Sequence, residues 1–255
     1  MFSDAHTHLT GSPLRGTLEP KDLKEVLRQA RDGGMTLILA SSFNLSNSEQ
    51  TAQLAAAEDV VYAAIGLHPW VAATIDEDAY QGFRALTRQS KVVALSELGL
   101  DTSRSPVPKE VQLQALSQQL RLSREAGLPV LIHDRGYHRE VMEALRGERL
   151  PGGAIHGFSG GEEELKEWLD LGFYVSIGRV ALQPEGEQLR AVVQSIPQDK
   201  LLLETDGAVG ASPDGPAQGP ARVIQVAEVV ASWRGTTADK LGTATTLNLK
   251  RLLGV

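Results

Sequence analysis

The chain of 255 residues contains no cysteine. This absence excludes disulfide bonds, thiolate metal ligands and cysteine nucleophiles, and it is typical of a protein in a reducing compartment. Aromatic residues make up only 5% of the chain, so few side chains can stack on nucleobases. The sequence also lacks an uncharged apolar run of about 18 residues and a basic, apolar leader, so we predict a soluble cytoplasmic protein.

Positive charge is also scarce in the composition. Lysine and arginine number 25 against 32 aspartates and glutamates, which gives a formal net charge of −7. No global basic field therefore attracts nucleic acid or an anionic membrane. Any polyanionic substrate must be captured locally, by metal ions and a few cationic side chains. We predict no membrane partner and no obligate protein partner.

Short apolar runs rich in β-formers alternate with amphipathic segments along the chain. Leu23, Val26, Leu27 and Ala30 follow the spacing of a helix with one buried face, and similar patterns recur between later runs. No Gly-x-Gly-x-x-Gly follows the first run, which disfavours an open nucleotide-binding sheet. The alternation favours an α/β protein folded as a (β/α)8 TIM barrel, with one domain over residues 1–255. The predicted strands lie near 2–8, 36–41, 60–66, 92–97, 129–133, 153–157, 173–177 and 200–205.

Two histidines in the first predicted strand give the sharpest chemical signal. His6 and His8 are two residues apart, so on a strand both imidazoles project from the same face. On a helix the same spacing would separate the side chains by about 200°. Imidazole nitrogens suit zinc, manganese, iron and cobalt. Taken alone, the pair has two interpretations, metal ligands or ordinary surface histidines.

Four further residues with metal-binding side chains also end apolar runs. These residues are Glu97, His133, His156 and Asp206. A carboxylate at the end of a buried strand needs a partner, and the carboxyl ends of barrel strands meet at one face. We therefore predict a metal site built from all six residues. Its mixed donor set fits Mg, Mn, Zn or Co, and the sequence does not choose among them.

An ordered set of short motifs resembles one known family. The motifs lie at residues 4–8, 66–69, 97–101, 131–135, 156–160, 204–206 and 245–248. In this order they resemble the TatD-like metal-dependent hydrolases, a family of amidohydrolase-type barrels. The resemblance implies two divalent cations, one held by His6, His8 and Asp206 and the other by His133 and His156, with Glu97 as the bridge.

The same resemblance implies hydrolysis of phosphoester bonds, as in a TatD-like deoxyribonuclease or phosphodiesterase. The substrate would contain phosphate, and single-stranded DNA is one candidate. Glu97 and Asp206 would be the catalytic carboxylates, because a carboxylate that contacts the activated water orients it and accepts its proton. Asp206 is the candidate general base.

Three more polar residues near these positions have open roles. Arg135 follows His133 by two residues and either clamps a substrate phosphate or forms a structural ion pair at the rim. His68, in a Gly-x-His-Pro turn, either contacts substrate as a donor or general acid, or is a structural turn residue. Asp4 is expected to support a ligand imidazole. The predictions for substrate binding are His68 and Arg135.

Two other functions remain compatible with the sequence. One is an amidohydrolase that opens a C–N or C–O bond, such as a lactone or cyclic amide. Many relatives of that kind bridge the metals through a lysine, whereas the fourth strand here has only Lys91 at its start. The other is an inactive barrel retained for partner binding, which the complete ligand set disfavours. Ser96, Thr102 and residues 207–209 depart from the family pattern and bear on substrate choice. The Gly/Pro-rich loop 207–220 either shapes substrate access or is a surface loop without a functional role.

Overall fold

A computed structural model describes residues 1–11, 20–103, 105–208 and 219–255. Eight parallel strands lie side by side in sequence order and form a nearly closed barrel, which confirms the predicted (β/α)8 fold. A short ninth strand, β9, pairs with β1. The strands are β1 Phe2–His8, β2 Met35–Ser41, β3 Val61–Ile65, β4 Val92–Asp101, β5 Val130–Arg135, β6 Gly153–Ile155, β7 Tyr174–Ile177, β8 Leu201–Leu203 and β9 Gly207–Ala208.

Helices connect the strands around the outside of the barrel. Gly127 ends the longest described helix in the left-handed conformation, with φ of 69°. Within the described residues, no helix is long and apolar enough to span a membrane. The helices are α1 Pro20–Asp32, α2 Leu45–Ala57, α3 Glu77–Leu86, α4 Lys109–Ala126, α5 His138–Leu145, α6 Glu162–Asp170, α7 Arg190–Ser195, α8 Val223–Trp233 and α9 Ala238–Leu253, with 3-10 turns that include Pro69–Thr74, Arg179–Leu182 and Pro220–Arg222.

Side chains alternate between the two faces of each strand, and this alternation divides the apolar core into two clusters. The larger cluster joins one face of the strands to the helices and includes Ile38 with Leu27. The smaller cluster contains Leu131 and Ala154, together with Leu249 from α9. Because alternate strand residues point to opposite faces, the smaller cluster lies inside the barrel. The side chains that follow it toward the carboxyl ends of the strands therefore enter the barrel mouth.

The barrel closes through the segment that follows β8. The Thr205 amide and hydroxyl donate to the Asp4 carboxylate at 3.0 and 2.6 Å, and the Asp206 amide donates to the His6 carbonyl at 3.0 Å. β8 ends at Leu203 and is shorter than the predicted 200–205. The Glu204 amide still donates to the Ile177 carbonyl of β7 at 3.1 Å, whereas residues 205 and 206 bond to β1 without strand geometry. The predicted loop 207–220 begins as β9, and its residues 209–218 lie outside the described residues.

Candidate metal centre

Four of the six predicted metal-binding residues, all histidines, converge on the carboxylate of a fifth, Glu97. Its Oε1 atom lies 3.3 Å from His6 Nε2, 3.1 Å from His156 Nε2 and 3.5 Å from His133 Nδ1. Its Oε2 atom lies 3.3 Å from His8 Nε2. All five residues are buried, each with an exposed fraction of 6% or less. Positions 6 to 156 thus supply one compact cluster at the barrel mouth.

Asp206, the sixth predicted metal-binding residue, lies next to the two histidines of β1. Its Oδ1 atom lies 4.0 Å from His6 Nε2 and 3.9 Å from His8 Nε2. The backbone of Asp206 is left-handed, with φ of 46°, a conformation that aspartate tolerates better than most residues. Such strained residues are typical of functional sites. The side chain is 26% exposed, so Asp206 lies between the buried cluster and the solvent.

A protein oxygen contacts the outward-facing nitrogen of each histidine in the cluster. His133 Nε2 lies 3.0 Å from Asp101 Oδ2, and His156 Nδ1 lies 3.3 Å from Glu204 Oε1. A carboxylate accepts hydrogen bonds, so each of these nitrogens carries the proton and the inward nitrogen of the neutral ring has a lone pair. These second-shell contacts orient the rings toward Glu97.

The two histidines of β1 follow the same arrangement. His8 Nδ1 donates to the Ser41 carbonyl at 3.1 Å, and His6 Nδ1 lies 3.0 Å from Ser41 Oγ. Ser96 donates to that same hydroxyl at 3.0 Å, so the serine that departs from the family pattern anchors the support of His6. The inward nitrogens of His8, His133 and His156 therefore have lone pairs that face other acceptors.

Such an arrangement of lone pairs requires positive charge at its centre. Glu97 Oε2 is buried and has no hydrogen-bond partner among the described residues. A buried, unsatisfied carboxylate oxygen is costly, and a divalent cation would satisfy it together with the imidazole nitrogens. The donor set therefore fits a metal. The candidate ligand atoms form three overlapping groups, and within each group they lie within 4.8 Å of one another. The groups are His6, His156 and Asp206; His6, His8 and Glu97; and His68, Glu97 and His133.

Without cations, protons must supply this positive charge. Burial opposes charge on His156, but its contacts with Glu204 and Glu97 outweigh that effect and raise its pKa to about 10. Burial also opposes ionisation of Glu97, yet the neighbouring His6, His68 and His8 hold its pKa well below the usual range. Burial lowers the pKa of His8. A charged His156 and an ionised Glu97 thus form the buried pair in the metal-free cluster.

His68 lies at the edge of the cluster with its protonation fixed by the backbone. Its Nδ1 atom accepts the Trp70 amide at 3.1 Å, so in the neutral ring Nε2 carries the proton. That N–H group lies 4.0 Å from Glu97 Oε1. Burial lowers the pKa of His68 to about 3, which keeps the ring neutral. His68 thus presents a hydrogen-bond donor to the site, and a role as ligand would need the other tautomer.

Arg135 lies beside the cluster at the end of β5. Its Nη1 atom donates to the Asp134 carbonyl at 2.8 Å, and the side chain is half-buried. A Cβ atom on Gly157 would lie 2.5 Å from Arg135 Nη2, so the glycine with φ of 54° leaves the guanidinium its space. The arginine contacts a cavity that also reaches Asp206.

The supporting residues are those that sequence reasoning missed or assigned differently. Ser41 ends β2, Asp101 ends β4 and Glu204 directly follows β8. Asp101 and Glu204 also lie in the quoted motifs, which was an available signal for these two. Asp4 was expected to support an imidazole. Its carboxylate instead accepts the backbone amides of His6 and Thr205 and closes the barrel.

Comparisons with known proteins identify the family. A sequence model described as TatD related DNase matches residues 3–254. An uncharacterized metal-dependent hydrolase, YabD from Bacillus subtilis, is 31% identical, with both chains fully covered. The 3'-5' ssDNA/RNA exonuclease TatD from Escherichia coli K12 is 33% identical over 92% of this chain and 94% of the relative.

Solved structures agree with the sequence comparison. The crystal structure of YjjV, a TatD homologue from Escherichia coli, matches with a TM-score of 0.89 and 28% identity, covering 100% of this chain and 98% of the other. A TatD family hydrolase from Entamoeba histolytica matches with a TM-score of 0.83 at 20% identity, covering 99% and 97% of the two chains, and supports the fold alone. The chain therefore belongs to the TatD family of metal-dependent hydrolases.

Proposed function

We propose that this enzyme hydrolyses phosphoester bonds at a site for two divalent cations, and that single-stranded DNA is a substrate. In this proposal His6, His8 and Asp206 would hold one cation, His133 and His156 would hold the other, and Glu97 would contribute to both. The shared orientation of the four imidazoles toward Glu97 carries the proposal, because it leaves a buried ring of lone pairs that only positive charge can stabilise. The names of the exonuclease relatives support the substrate class.

Each residue of the site has a defined task in this reaction. Bound divalent cations would stabilise charge on the phosphate oxygens and lower the pKa of the attacking water. Asp206 orients that water and accepts its proton, because its carboxylate borders both the histidine cluster and the solvent. His68 donates its Nε2–H to a phosphate oxygen, and Arg135 offers a planar pair of donors at the rim. Asp101 and Glu204 hold His133 and His156 in the ligating tautomers.

The proposal also includes predictions about the domain, the cations, the location in the cell and protein partners. The matched region supports treatment of residues 1–255 as one catalytic domain. The identity of the cations among Mg, Mn, Zn and Co, the cytoplasmic location and the lack of an obligate protein partner remain predictions from the sequence.

The test is a substrate panel with the metal-loaded protein. We expect cleavage of a bis-aryl phosphodiester and of single-stranded DNA, full loss on chelation, and recovery when Mn²⁺ or Zn²⁺ is returned. Asp206→Asn should lose about a hundredfold to ten-thousandfold in turnover while its far-ultraviolet circular dichroism is unchanged. The matched control is Asp199→Asn, an exposed aspartate outside the site, which should keep full activity.

Two outcomes of the panel would favour the other functions. Cleavage of lactones or cyclic amides alone would support a C–N or C–O hydrolase. The position of Lys91 speaks against the lysine-bridged form of that chemistry, since its Nζ donates to the carbonyls of Glu58, Asp59 and Val61 at 2.8, 2.7 and 3.0 Å at the start of β4. No turnover of any substrate with two cations bound would support an inactive barrel with a binding role.

A further inference from the structure

A cavity of about 200 Å³ adjoins the cluster on the side of Asp206. Its lining includes four side chains with hydrogen-bond donors, namely Arg135, Ser159, Arg179 and Gln183, and two carboxylates, Glu204 and Asp206. Sequence reasoning selected Arg135 alone. Arg179 opens the 3-10 turn after β7, and its side chain is 52% exposed.

The two oxygens of the Asp206 carboxylate separate this cavity from the histidines. Oδ1 faces the imidazole nitrogens of His6 and His8, whereas Oδ2 lies 3.7 Å from Arg179 Nε. Arg179 is thus on the outer side of the carboxylate, one group removed from the place where the reacting phosphate would bind. The cavity therefore lies beside the histidine cluster, on the outer side of Asp206.

The guanidinium groups of Arg135 and Arg179 supply donors that can bind an anion in the cavity. Its acidic members, Glu204 and Asp206, also face histidines of the cluster, at 3.3 Å from His156 and at about 4 Å from His6 and His8. Each guanidinium carries five N–H donors, of which Arg135 uses Nη1 on the Asp134 carbonyl, and arginine matches phosphate oxygens in a bidentate manner. Cations bound at Asp206 would weaken its hold on Arg179 further.

The size and lining of the cavity also restrict what else it can hold. Glycines form part of its wall, and a Cβ on Gly178 would lie 3.1 Å from the Glu204 side chain. No aromatic side chain of the described residues lines it, so it offers no platform on which a nucleobase could stack. The space and the donors suit a phosphate with part of its sugar.

We propose that Arg135 and Arg179 clamp a second, non-reacting phosphate of the substrate. The preferred substrate is then a phosphodiester with an adjacent phosphate, recognised through the sugar-phosphate backbone with little dependence on base identity. This inference rests on the proposed phosphoester hydrolysis and adds a specificity residue, Arg179, to it.

The experiment compares three dinucleotides with the metal-loaded enzyme. TpT lacks a terminal phosphate, whereas pTpT and TpTp carry one at the 5′ or 3′ end. We expect one of the phosphorylated forms to have a kcat/KM about tenfold to a hundredfold above that of TpT, the range for charge-assisted hydrogen bonds. Arg179→Gln should reduce this ratio to within about threefold of unity, and Arg179→Lys should restore part of it.

A control variant and a binding measurement make the test specific. Arg190→Gln removes a similarly exposed arginine that pairs with Glu187 outside the cavity, so it should keep the full preference. Calorimetric titration of inorganic phosphate into chelator-treated protein should show binding that Arg179→Gln weakens about tenfold. Thermal melts establish that each variant is folded.

The outcomes separate this inference from the proposed function. Equal cleavage of all three dinucleotides, or an equal loss for all three in Arg179→Gln, would overturn the clamp and leave phosphoester hydrolysis intact. Arg179-dependent phosphate binding without cleavage of any phosphodiester would keep the anion site and overturn the proposed function. Cleavage that depends on base identity but not on a terminal phosphate would also contradict the clamp.

Discussion

The side chains on the two sides of the Asp206 carboxylate differ in their burial and in the number of residues that hold them in place. On the inner side the imidazoles are buried, and a second residue fixes the outward nitrogen of each ring. On the outer side Arg179 is half-exposed and approaches Asp206 at 3.7 Å. Fixed geometry serves bond cleavage, whereas a more mobile arginine can adjust to substrates. Substitutions on the two sides should therefore have very different consequences.

The largest effect is expected from the residue at the centre of the inner side. Glu97→Gln keeps the shape of the side chain but removes the charge that the histidines surround. We expect loss of at least one bound cation and a fall in kcat/KM on the order of a thousandfold. Elemental analysis of the purified protein and phosphodiester kinetics measure the two effects. Glu228→Gln, on the exposed face of α8, is the control. Normal metal content in Glu97→Gln would refute its bridging role.

A smaller effect is expected from Asp101, which contacts the candidate ligand His133. Asp101→Asn replaces the acceptor on His133 Nε2 by a group that can donate, so it favours the wrong tautomer. We expect metal affinity to fall about tenfold to a hundredfold, measured by competition with a fluorescent chelator. Ser103→Ala removes a hydroxyl that donates to Asp101 at 2.7 Å but keeps the carboxylate, so its effect should be weaker. Equal effects of the two substitutions would contradict tautomer control.

The inner side should also show itself in the pH dependence of stability. The pKa of His156 is raised to about 10 in the folded metal-free protein, above the ordinary value of 6.5. A raised pKa in the folded state stabilises the protein fully below about pH 6.5, and this contribution is lost as the pH approaches about 10. We expect the melting temperature of chelated protein to fall over this interval and that of metal-loaded protein to fall less. A constant gap between the two curves would show that cations do not replace the proton.

The smallest effect is expected on the outer side. Arg179→Gln removes a half-exposed side chain whose contact with Asp206 is long, so we expect the free energy of unfolding to change by no more than about 0.5 kcal/mol. Urea denaturation of the chelated protein measures this value. A loss well above about 1 kcal/mol would mean that Arg179 holds the loop after β7 in place, and the contrast between the two sides would then fail.

The sequence was sufficient for the barrel and for the convergence of the six candidate ligands. Apolar runs that end in histidine or carboxylate predict both, since parallel strands of a barrel bring their carboxyl ends to one face. The supporting contacts were harder to foresee. Ser41 acts through a backbone carbonyl and a hydroxyl, and serine has no distinctive pattern. Asp101 could be predicted as a supporting residue only from the knowledge that β4 extends past Glu97 to residue 101.

Asp4 shows a different limit of sequence reasoning. Its place two residues before His6 predicted a contact with an imidazole, but β1 pairs irregularly with β2 between Asp4 and Thr7. That irregularity sends the carboxylate toward Thr205. Arg179 was missed because an exposed arginine in a turn carries no periodic signal. Only the three-dimensional position of the turn beside Asp206 gives it meaning.

The bond between Asp4 and Thr205 spans 201 positions of sequence. Contacts so distant in the chain are among the last to form, because closing a long loop has a large entropic cost. A nascent chain still on the ribosome would carry His6 and His8 long before Asp206 is made, and its histidines would have no sixth partner. A complete set of six candidate ligands can therefore form only after synthesis has passed residue 206.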